Sequence, residues 1–199
     1  MKMFRYLTFS TLLVCSLLKA NAQDWEKGVA ASEAGNSKAA FEEWFPLAQA
    51  GDARAQTMIG QMYLHGDGVI QDYVSALNWN ILAAVKGVGV AQTNLGWMYA
   101  NGKGVDTDYV KAVKWYRSAA DQGLSRAQLN LGTLYILGKG VLQNNVKAHM
   151  WLNIASANGE EGAQELRETI ANKMTPEDIS KAQSMANDCI NSGYKNCDK

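Results

Sequence analysis

The chain contains little of the material from which metal or cofactor sites are built. Its 199 residues include two histidines, three cysteines and two prolines, and the histidines and cysteines lack the paired ligand spacing of a zinc site. We therefore expect no metal and no cofactor. Lysine plus arginine equals aspartate plus glutamate at 19 each, whereas nucleic-acid-binding proteins carry a basic excess, so nucleic acid is not an expected partner.

The composition also excludes an intrinsically disordered chain. Charged residues make up 19% of the sequence and hydrophobic residues 47%, whereas disordered chains combine low hydrophobicity with high net charge. The length is typical of one domain or one short repeat array. The sequence therefore predicts a globular or repeat protein without obvious cofactor chemistry.

The first 22 residues have the pattern of a cleaved secretory signal peptide. Lys2 and Arg5 form a positively charged start, residues 6–18 form a short apolar run, and residues 20–22 offer a small-x-small cleavage site. The apolar run is shorter than the roughly 20 residues of a membrane span, which disfavours the alternative of an uncleaved anchor. The pattern predicts export to the periplasm or the medium, with no stable membrane insertion after cleavage.

Cleavage after residue 22 would change both the charge and the cysteine count. It removes three basic residues and no acidic one, which leaves 16 bases against 19 acids. It also removes Cys15 and leaves the pair Cys189 and Cys197. An even number of cysteines in an oxidising compartment favours a disulfide, so we expect these two to be bonded.

A period of 36 residues organises the middle of the chain, and we call positions 36 residues apart register counterparts. An Ala-Gln pair recurs four times at this spacing, and several other residue types recur three times. The recurring residues are Ala55-Gln56, Ala91-Gln92, Ala127-Gln128 and Ala163-Gln164; Gly60, Gly96 and Gly132; Tyr63, Tyr99 and Tyr135; Gly66, Gly102 and Gly138; Ala76, Ala112 and Ala148; and Trp79, Trp115 and Trp151. Such repetition predicts an array of similar structural units.

Each unit is predicted to form two helices. Ala91, Leu95 and Met98 lie at i, i+4 and i+7, which is a helical stripe. Gly102 is suited to end this first helix as a C-terminal cap, and Asp108 is suited to the N-cap of the second. Because a helix pair of this size cannot bury its apolar face alone, we expect neighbouring pairs to stack.

Two recurring residue types predict the packing between helices. Gly96 lies inside the first helix, where glycine costs about 1 kcal/mol relative to alanine, so its recurrence predicts that a neighbouring helix passes close by. The tryptophans Trp79, Trp115 and Trp151 recur in register and are predicted to lie in the core.

Residues 91–123 carry the pattern A-Q-x-x-L-G-x-M-Y-x-x-G-x-G-V followed by an alanine, a tryptophan, an alanine pair and a glycine. This pattern resembles that of the Sel-1-like repeat family, a relative of tetratricopeptide arrays. The resemblance implies an all-α fold, a helix-turn-helix repeat solenoid (a Sel-1-like or tetratricopeptide-like superhelix), with repeats at 53–88, 89–124 and 125–160. In the third repeat Asn145 and Ser156 depart slightly from the pattern.

The segment before the repeats is expected to be an N-terminal capping helix pair. Residues 23–52 resemble a degenerate repeat, in which Trp44 is shifted by one residue from the tryptophan register and Pro46 is unusual. A solenoid requires terminal pairs with a polar outer face.

The segment after the repeats is expected to form C-terminal capping helices that end in the Cys189–Cys197 loop, over residues 161–199. Thr175 and Pro176 form a strong helix start, with an N-cap threonine and proline at the first position. The stretch KMTPEDISKAQSMANDC also resembles the tail that often closes bacterial Sel-1-like proteins.

The sequence offers few candidates for catalysis. The G-x-G motifs at 66–68, 102–104 and 138–140 follow helices rather than strands and lack a third glycine, so we expect inter-helix turns rather than nucleotide loops. The other candidates also have structural interpretations: an exposed or capping His65, a packing His149, a solvated Asp67 whose counterparts are Lys103 and Lys139, and exposed helix ends at Glu42-Glu43 and Glu160-Glu161. The protein is predicted not to be an enzyme.

One tryptophan lies outside the repeat register. The counterparts of Trp97 are the polar residues Gln61 and Thr133, and the family resemblance implies that first helices line a concave surface. The predicted partner-binding residues on that surface are Thr57, Gln61, Thr93, Trp97, Leu129 and Thr133. Trp97 is either a binding hot spot, since tryptophan is enriched there, or a side chain folded into an adjacent groove.

The family resemblance implies the function. Sel-1-like proteins generally act as adaptors, so we expect an exported, monomeric, non-enzymatic scaffold that binds a protein or peptide partner through its concave face. One alternative is a module that binds a small ligand or a cell-wall fragment. Another is a hydrolase of the β-lactamase type seen in cysteine-rich relatives, although those carry a cysteine pair in each repeat and this chain does not.

Overall fold

The computed structural model describes residues 24–195 and residue 197. Every regular element within them is a helix, which confirms the all-α prediction. The predicted signal peptide lies outside the described residues. The helices are α1 (24–33), α2 (Ser37–Gln49), α3 (Ala53–His65), α4 (Tyr73–Ala84), α5 (Gly89–Asn101), α6 (Tyr109–Ala120), α7 (Ser125–Leu137), α8 (Asn145–Ala157), α9 (Ala163–Ala171) and α10 (Pro176–Asn191).

The chain divides into two compact units, an N-terminal unit that ends at Trp79 and a C-terminal unit that begins at Asn80. In the N-terminal unit α2 packs on α3. In the C-terminal unit α5 to α8 pack each on the next, and both α9 and α10 pack on α8. No helix in the described part of the chain is long and apolar enough to cross a bilayer.

The second helix of each repeat begins with the predicted side-chain cap. A side-chain oxygen of Asp72, Asp108 or Asn144 accepts a hydrogen bond from the backbone N–H three residues further on, at 2.9–3.2 Å. Thr175 caps α10 in the same way, at 3.1 Å. These bonds satisfy backbone donors that the first turn of a helix leaves unpaired.

The G-x-G motifs form turns between the two helices of a repeat, as predicted. Gly102 ends α5 in the left-handed conformation at φ 63°, and its N–H donates to the carbonyl of Met98. Gly140 also has a positive φ, and a Cβ on it would overlap the backbone carbonyl of Tyr109 at the start of α6. The second glycine of the motif is therefore needed both for its backbone conformation and for the close approach of this loop to a neighbouring helix.

The recurring glycine inside the first helix marks a close helix contact, which confirms the prediction for Gly96. A Cβ on Gly96 would lie 2.5 Å from Cδ1 of Tyr116, a residue of α6. A Cβ on Gly132 would lie 3.0 Å from Cγ of Leu152, the register counterpart of Tyr116. Without a side chain at these positions, the second helix can lie directly against the first.

The α1–α2 pair repeats this contact in a shortened form. The indole of Trp44 lies against Gly28, where a Cβ would overlap it, and Trp44 also stacks on Trp25 with ring centroids 5.5 Å apart. Trp44 is in register with Tyr116 and Leu152. It is therefore not a displaced version of the repeat tryptophan, as the sequence suggested, but occupies the position that packs on the glycine. Pro46 lies within α2 without ending it.

The recurring glutamine ties each helix pair to the one before it. In the third repeat Gln128 is fully buried, and its side-chain amide donates to the carbonyl of Ala120 at the end of α6, at 3.3 Å. Its side-chain oxygen accepts from the Asn158 amide at 2.9 Å. The same donor bond recurs from Gln56 to Ala48 and from Gln92 to Ala84. Each of these carbonyls also accepts a backbone N–H from the glycine three residues further on, Gly51, Gly87 or Gly123, so the glutamine amide is a second donor at the end of the helix.

The tryptophan register is only partly in the core, which corrects the sequence prediction. Trp151 is fully buried, whereas Trp79 and Trp115 are half-buried. The reason is the number of neighbouring helices: α8, which carries Trp151, is covered by α7, α9 and α10. The alanine register behaves as expected, and Ala76, Ala112 and Ala148 are fully buried.

The predicted disulfide is present and holds the C-terminal segment against the repeats. Cys189 in α10 is bonded to Cys197, with 4.6 Å between their Cα atoms. Within this loop the hydroxyl of Tyr194 donates to Oδ1 of Asn158 at 3.1 Å, and the ring of Tyr194 lies against Gly123. The disulfide loop therefore contacts the ends of both the second and the third repeat.

Candidate partner-binding surface

In the N-terminal unit the predicted surface residues are Thr57 and Gln61, one turn apart on α3. Thr57 is only 6% exposed, and its hydroxyl donates to the carbonyl of Ala53 at 2.8 Å. Gln61 is half-buried. Because the Thr57 hydroxyl is used within its own helix, only Gln61 of this pair offers an accessible polar group.

In the C-terminal unit Thr93 and Trp97 lie one turn apart on α5, and Leu129 and Thr133 lie one turn apart on α7. The two helices contact each other. Trp97 is 37% exposed, Thr93 and Thr133 are half-buried, and Leu129 is 9% exposed. The hydroxyls of Thr93 and Thr133 donate to carbonyls of their own helices at 2.9 Å.

These burials narrow the surface that the sequence predicted. Thr57 and Leu129 are register counterparts, and both are buried. Gln61, Trp97 and Thr133 are the register counterparts four residues further along the chain. In each repeat this second position is more accessible than the first. Thr57 and Leu129 therefore act in packing, and Trp97 is the large side chain that the surface offers.

A shallow depression that begins one turn from Trp97 is lined by residues that the sequence did not predict as part of the surface. It lies between α5 and the start of α7, and its lining includes Val90, Thr93, Asn94, Leu124 and Arg126. Val90 is 43% exposed and stands where Arg54 and Arg126 stand in the neighbouring repeats. That break in the register was the available signal.

The rim of the depression is fixed by an ion pair. Arg126 Nε lies 3.1 Å from Oε1 of Glu160, and the hydroxyl of Ser125 donates to Oε2 of the same carboxylate at 2.9 Å. Glu160 was expected to be an exposed helix end. It is instead half-buried because these two residues of α7 hold it against the repeat.

The two histidines differ in environment. His65 is exposed at the end of α3, whereas His149 is almost fully buried in α8, and its Nδ1 has no hydrogen-bond partner among the described residues. Burial lowers the pKa of His149, and the nearby charge of Arg167 lowers it further. His149 is thus a packing residue whose surroundings favour its neutral form. The described part of the chain contains no group of three or more histidine, cysteine or acidic side chains that could hold a metal ion.

Comparison with known proteins assigns the repeats. Three segments, residues 53–87, 89–124 and 125–160, match the model of the Sel1 repeat. The chain belongs to the Sel1 repeat family. No curated protein matches the chain closely enough in sequence to be counted as a relative.

Two solved structures are similar to this Sel1 repeat chain in fold. One is c5321, a protective antigen present in uropathogenic Escherichia coli strains and displaying an SLR fold, with a TM-score of 0.73 and 30% identity over 84% of this chain and 41% of the antigen. The other is a Sel1 repeat protein from Oxalobacter formigenes, with a TM-score of 0.71 and 27% identity over 83% of this chain and 73% of that protein. The chain thus spans less than half of the length of the E. coli antigen.

Membership of the Sel1 family accounts for the recurring residues described above. The fold is an all-α helix-turn-helix repeat solenoid. The alanine, glycine and glutamine that recur within this chain lie at buried contacts between helices. Positions that differ between the repeats, such as Gln61, Trp97 and Thr133, are more accessible.

Proposed function

We propose that this Sel1 repeat protein is a non-enzymatic, monomeric adaptor that binds a protein or peptide partner through the face that α5 and α7, the first helices of its second and third repeats, form in the C-terminal unit. The single observation that carries the proposal is the accessible Trp97 beside the depression lined by Val90 and Thr93. Sel1 repeat proteins are generally non-enzymatic scaffolds, and their repeats generally mediate protein interactions, which supports the same role.

The physical chemistry of Trp97 favours an interface. A tryptophan buries a large apolar area and loses little conformational freedom on binding, and interface hot spots are enriched in tryptophan and arginine. Arg126 lies in the lining of the depression that begins one turn from Trp97. A partner that covered both would desolvate an apolar centre with a polar rim, which is the usual anatomy of a protein interface.

We also propose that the protein is exported. The support is the signal-peptide pattern of residues 1–22 together with the Cys189–Cys197 disulfide, because disulfides persist in oxidising compartments. Intact-mass analysis of protein from the cell envelope should find Gln23 as the first residue and a mass two hydrogens below that of the reduced chain. A chain that retains residues 1–22, or equal masses before and after reduction, would contradict the proposal.

The binding site is tested by affinity capture from an envelope extract, followed by direct affinity measurement on the purified partner. Trp97→Asp is the test variant. Val110→Asp, which places the same charge on a 53% exposed apolar residue of α6, is the matched control. Both variants must first show the unfolding curve of the parent protein.

We expect Trp97→Asp to weaken partner binding at least tenfold, a typical loss for a hot-spot residue, and Val110→Asp to leave it unchanged. Equal binding by all three proteins would place the partner on another surface. Failure of the parent protein to bind any partner would count against the adaptor function itself.

A binder of cell-wall glycan is the second candidate, because an accessible tryptophan such as Trp97 can also stack on a sugar ring. Soluble glycan fragments should then compete with the Trp97-dependent partner. Absence of competition at millimolar fragment concentrations would leave the peptide-binding function.

A further inference from the structure

A cavity of about 220 Å³ lies in the N-terminal unit between α1, α2 and α3. Its floor is apolar and consists of Trp44 and Met62, both almost fully buried, together with Met58. Ser37 and Asp67 lie in its lining as polar groups. The cavity is smaller than the ~300–1,000 Å³ pockets that enclose drug-sized ligands, so its size suits one side chain rather than a whole small molecule.

The origin of the cavity is visible in the repeat register. Asp67 is the counterpart of Lys103 and Lys139, and Ser37 is two repeats from Tyr109. Nζ of Lys139, in the third repeat, lies 4.8 Å from the centroid of the Tyr109 ring, in the second repeat, and 3.3 Å from its hydroxyl oxygen. A loop lysine thus covers a helix-start tyrosine.

The loop that carries Asp67 approaches Ser37 in the same way as the loop that carries Lys139 approaches Tyr109. A Cβ on Gly68 would overlap the backbone of Ser37, just as a Cβ on Gly140 would overlap the backbone of Tyr109. Ser37 and Asp67 are therefore brought together as Tyr109 and Lys139 are, but both side chains are short and neither is basic. The space that a lysine–tyrosine pair would cover is left open above Trp44 and Met62.

The charge of the lining identifies the occupant. Among the described residues that line the cavity, Asp67 is the one acidic side chain, and there is no lysine or arginine. Ser32, Gln61 and the exposed His65 are the other polar residues of the lining. An apolar floor below a single carboxylate matches a long aliphatic stem with a cationic end, which is the chemistry of lysine.

We propose that this cavity receives a lysine side chain of the partner. The aliphatic stem packs on Trp44, Met58 and Met62, and the ammonium group pairs with the Asp67 carboxylate. The partner thereby supplies between molecules the cation that Lys139 supplies within the chain, between the third and the second repeat. The inference rests on the proposed adaptor function, because it names the chemistry of one residue of the partner.

The test is a titration of the purified protein followed by the ¹³C-methyl NMR signals of Met58 and Met62. The probes are blocked pentapeptides with lysine, norleucine or glutamate between glycines. Norleucine keeps the straight apolar stem and lacks the charge. We expect the lysine peptide to shift both methyl signals and to bind about twofold to fivefold more tightly than the norleucine peptide, as for a partly exposed ion pair, and the glutamate peptide to bind least.

Three variants locate the effect. Asp67→Lys installs the residue of the other two repeats in an exposed loop and should abolish the preference for lysine. The double variant Ser37→Tyr with Asp67→Lys installs the counterparts of Tyr109 and Lys139 and should abolish the response to all three peptides. Asp106→Lys makes the same change of charge on an exposed residue of the C-terminal unit and should leave the titration unchanged.

The outcomes separate this inference from the proposed function. Equal affinities for lysine and norleucine, no methyl shifts at millimolar peptide, or an unchanged titration with Asp67→Lys would each overturn the lysine assignment. If the Trp97-dependent partner binds equally well to Asp67→Lys, the adaptor function stands and the lysine site is rejected. If the lysine peptide binds as expected but Trp97→Asp has no effect on any partner, the cavity stands and the proposed surface is rejected.

Discussion

Single residues set how closely the helices of a repeat approach. Gly96 lies in the interior of α5, where glycine is unfavourable by about 1 kcal/mol relative to alanine, and the buried ring of Tyr116 fills the space beside its Cα. Tyr116 is buried so deeply that desolvation raises the pKa of its hydroxyl. The cost of the glycine within the helix is therefore offset by a packed aromatic ring.

Gly96→Ala should destabilise the protein despite the better helix propensity of alanine. A Cβ 2.5 Å from Cδ1 of Tyr116 must displace the ring, and overpacking of this kind costs about 1–3 kcal/mol. Gly96→Leu should prevent the α5–α6 contact altogether. Urea unfolding measures both. Gly132→Ala is the control, because its new Cβ would lie 3.0 Å from the nearest atom, Cγ of Leu152. It should lower the free energy of unfolding by less than Gly96→Ala does, and an equal or larger loss would refute this explanation.

The other informative residue is His149, whose side chain is almost fully buried. Burial and Arg167 lower its folded-state pKa below the ordinary value of 6.5. Near pH 6.5 His149 is therefore protonated to a greater extent in the unfolded chain than in the folded chain. This contribution to stability is complete above about pH 6.5 and is lost as the pH falls through that value towards the folded-state pKa.

His149→Leu should flatten the fall in stability between pH 7 and pH 5. The variant should avoid a loss of unfolding free energy of at most about 1.4 kcal/mol per pH unit. Leucine should be accommodated, because it is already present at the counterpart position, Leu77. Denaturant midpoints across this pH range provide the measurement. His65→Asn, which replaces an exposed histidine by its counterpart Asn101, is the control. A pH profile that His149→Leu leaves unaltered would show that this histidine does not couple protonation to folding.

At the scale of helices, the recurring glutamine is the connection between one pair and the next. Gln128 bonds to the end of α6 through Ala120 and to the loop after α8 through Asn158. The fourth Ala-Gln, at the start of α9, is different: Gln164 is exposed and its side-chain amide donates to Glu168 within the same helix. Identical dipeptides in the sequence therefore have different roles.

Gln128→Leu should lower the free energy of unfolding by about 1–3 kcal/mol, because it removes two side-chain hydrogen bonds, to the Ala120 carbonyl and from the Asn158 amide, each worth about 0.5–1.5 kcal/mol. Gln164→Leu, the same change at the exposed counterpart, should stay within about 0.5 kcal/mol of the parent protein. The pair is compared by urea denaturation at neutral pH. Similar losses for the two variants would mean that burial of Gln128 does not matter.

At the scale of the whole molecule, the stability of a repeat array depends on what covers its last unit. The α8 residues Met150, Trp151, Leu152 and Ile154 are fully buried, and α8 packs against α9 and α10. We propose that residues 161–199 are the C-terminal cap of the array, as the sequence predicts, because a repeat unit left uncovered would expose this apolar face.

A chain that stops at residue 162 should lose cooperative thermal unfolding and bind a hydrophobic dye. A chain that stops at residue 191 keeps α9 and α10 but lacks Tyr194 and Cys197, so it should unfold cooperatively at a somewhat lower temperature. Calorimetry and dye binding on the two truncated chains separate helix packing from the disulfide. Cooperative unfolding of the shorter chain would contradict the capping role.

Much of the architecture was predictable because its determinants are local. A side-chain cap such as Asp108 acts on an N–H three residues away, and Gly102 acts through its own φ. The cysteine pair is close in the chain, so its disulfide followed from the count and the spacing. The candidate surface was harder to predict from the sequence. Trp97 is exposed as its register suggested, whereas Thr57 and Leu129 are buried.

The sequence by itself determined the 36-residue period, the helix pairs, their turns and caps, and membership of the family, since each depends on residue types at fixed short spacings. The tertiary structure alone decided which tryptophan is buried, what Gln128 bonds to, and that Ser37 and Asp67 border one cavity. The physical reason is that burial and long-range contacts depend on how many helices pack around a position, and those helices are distant in the chain.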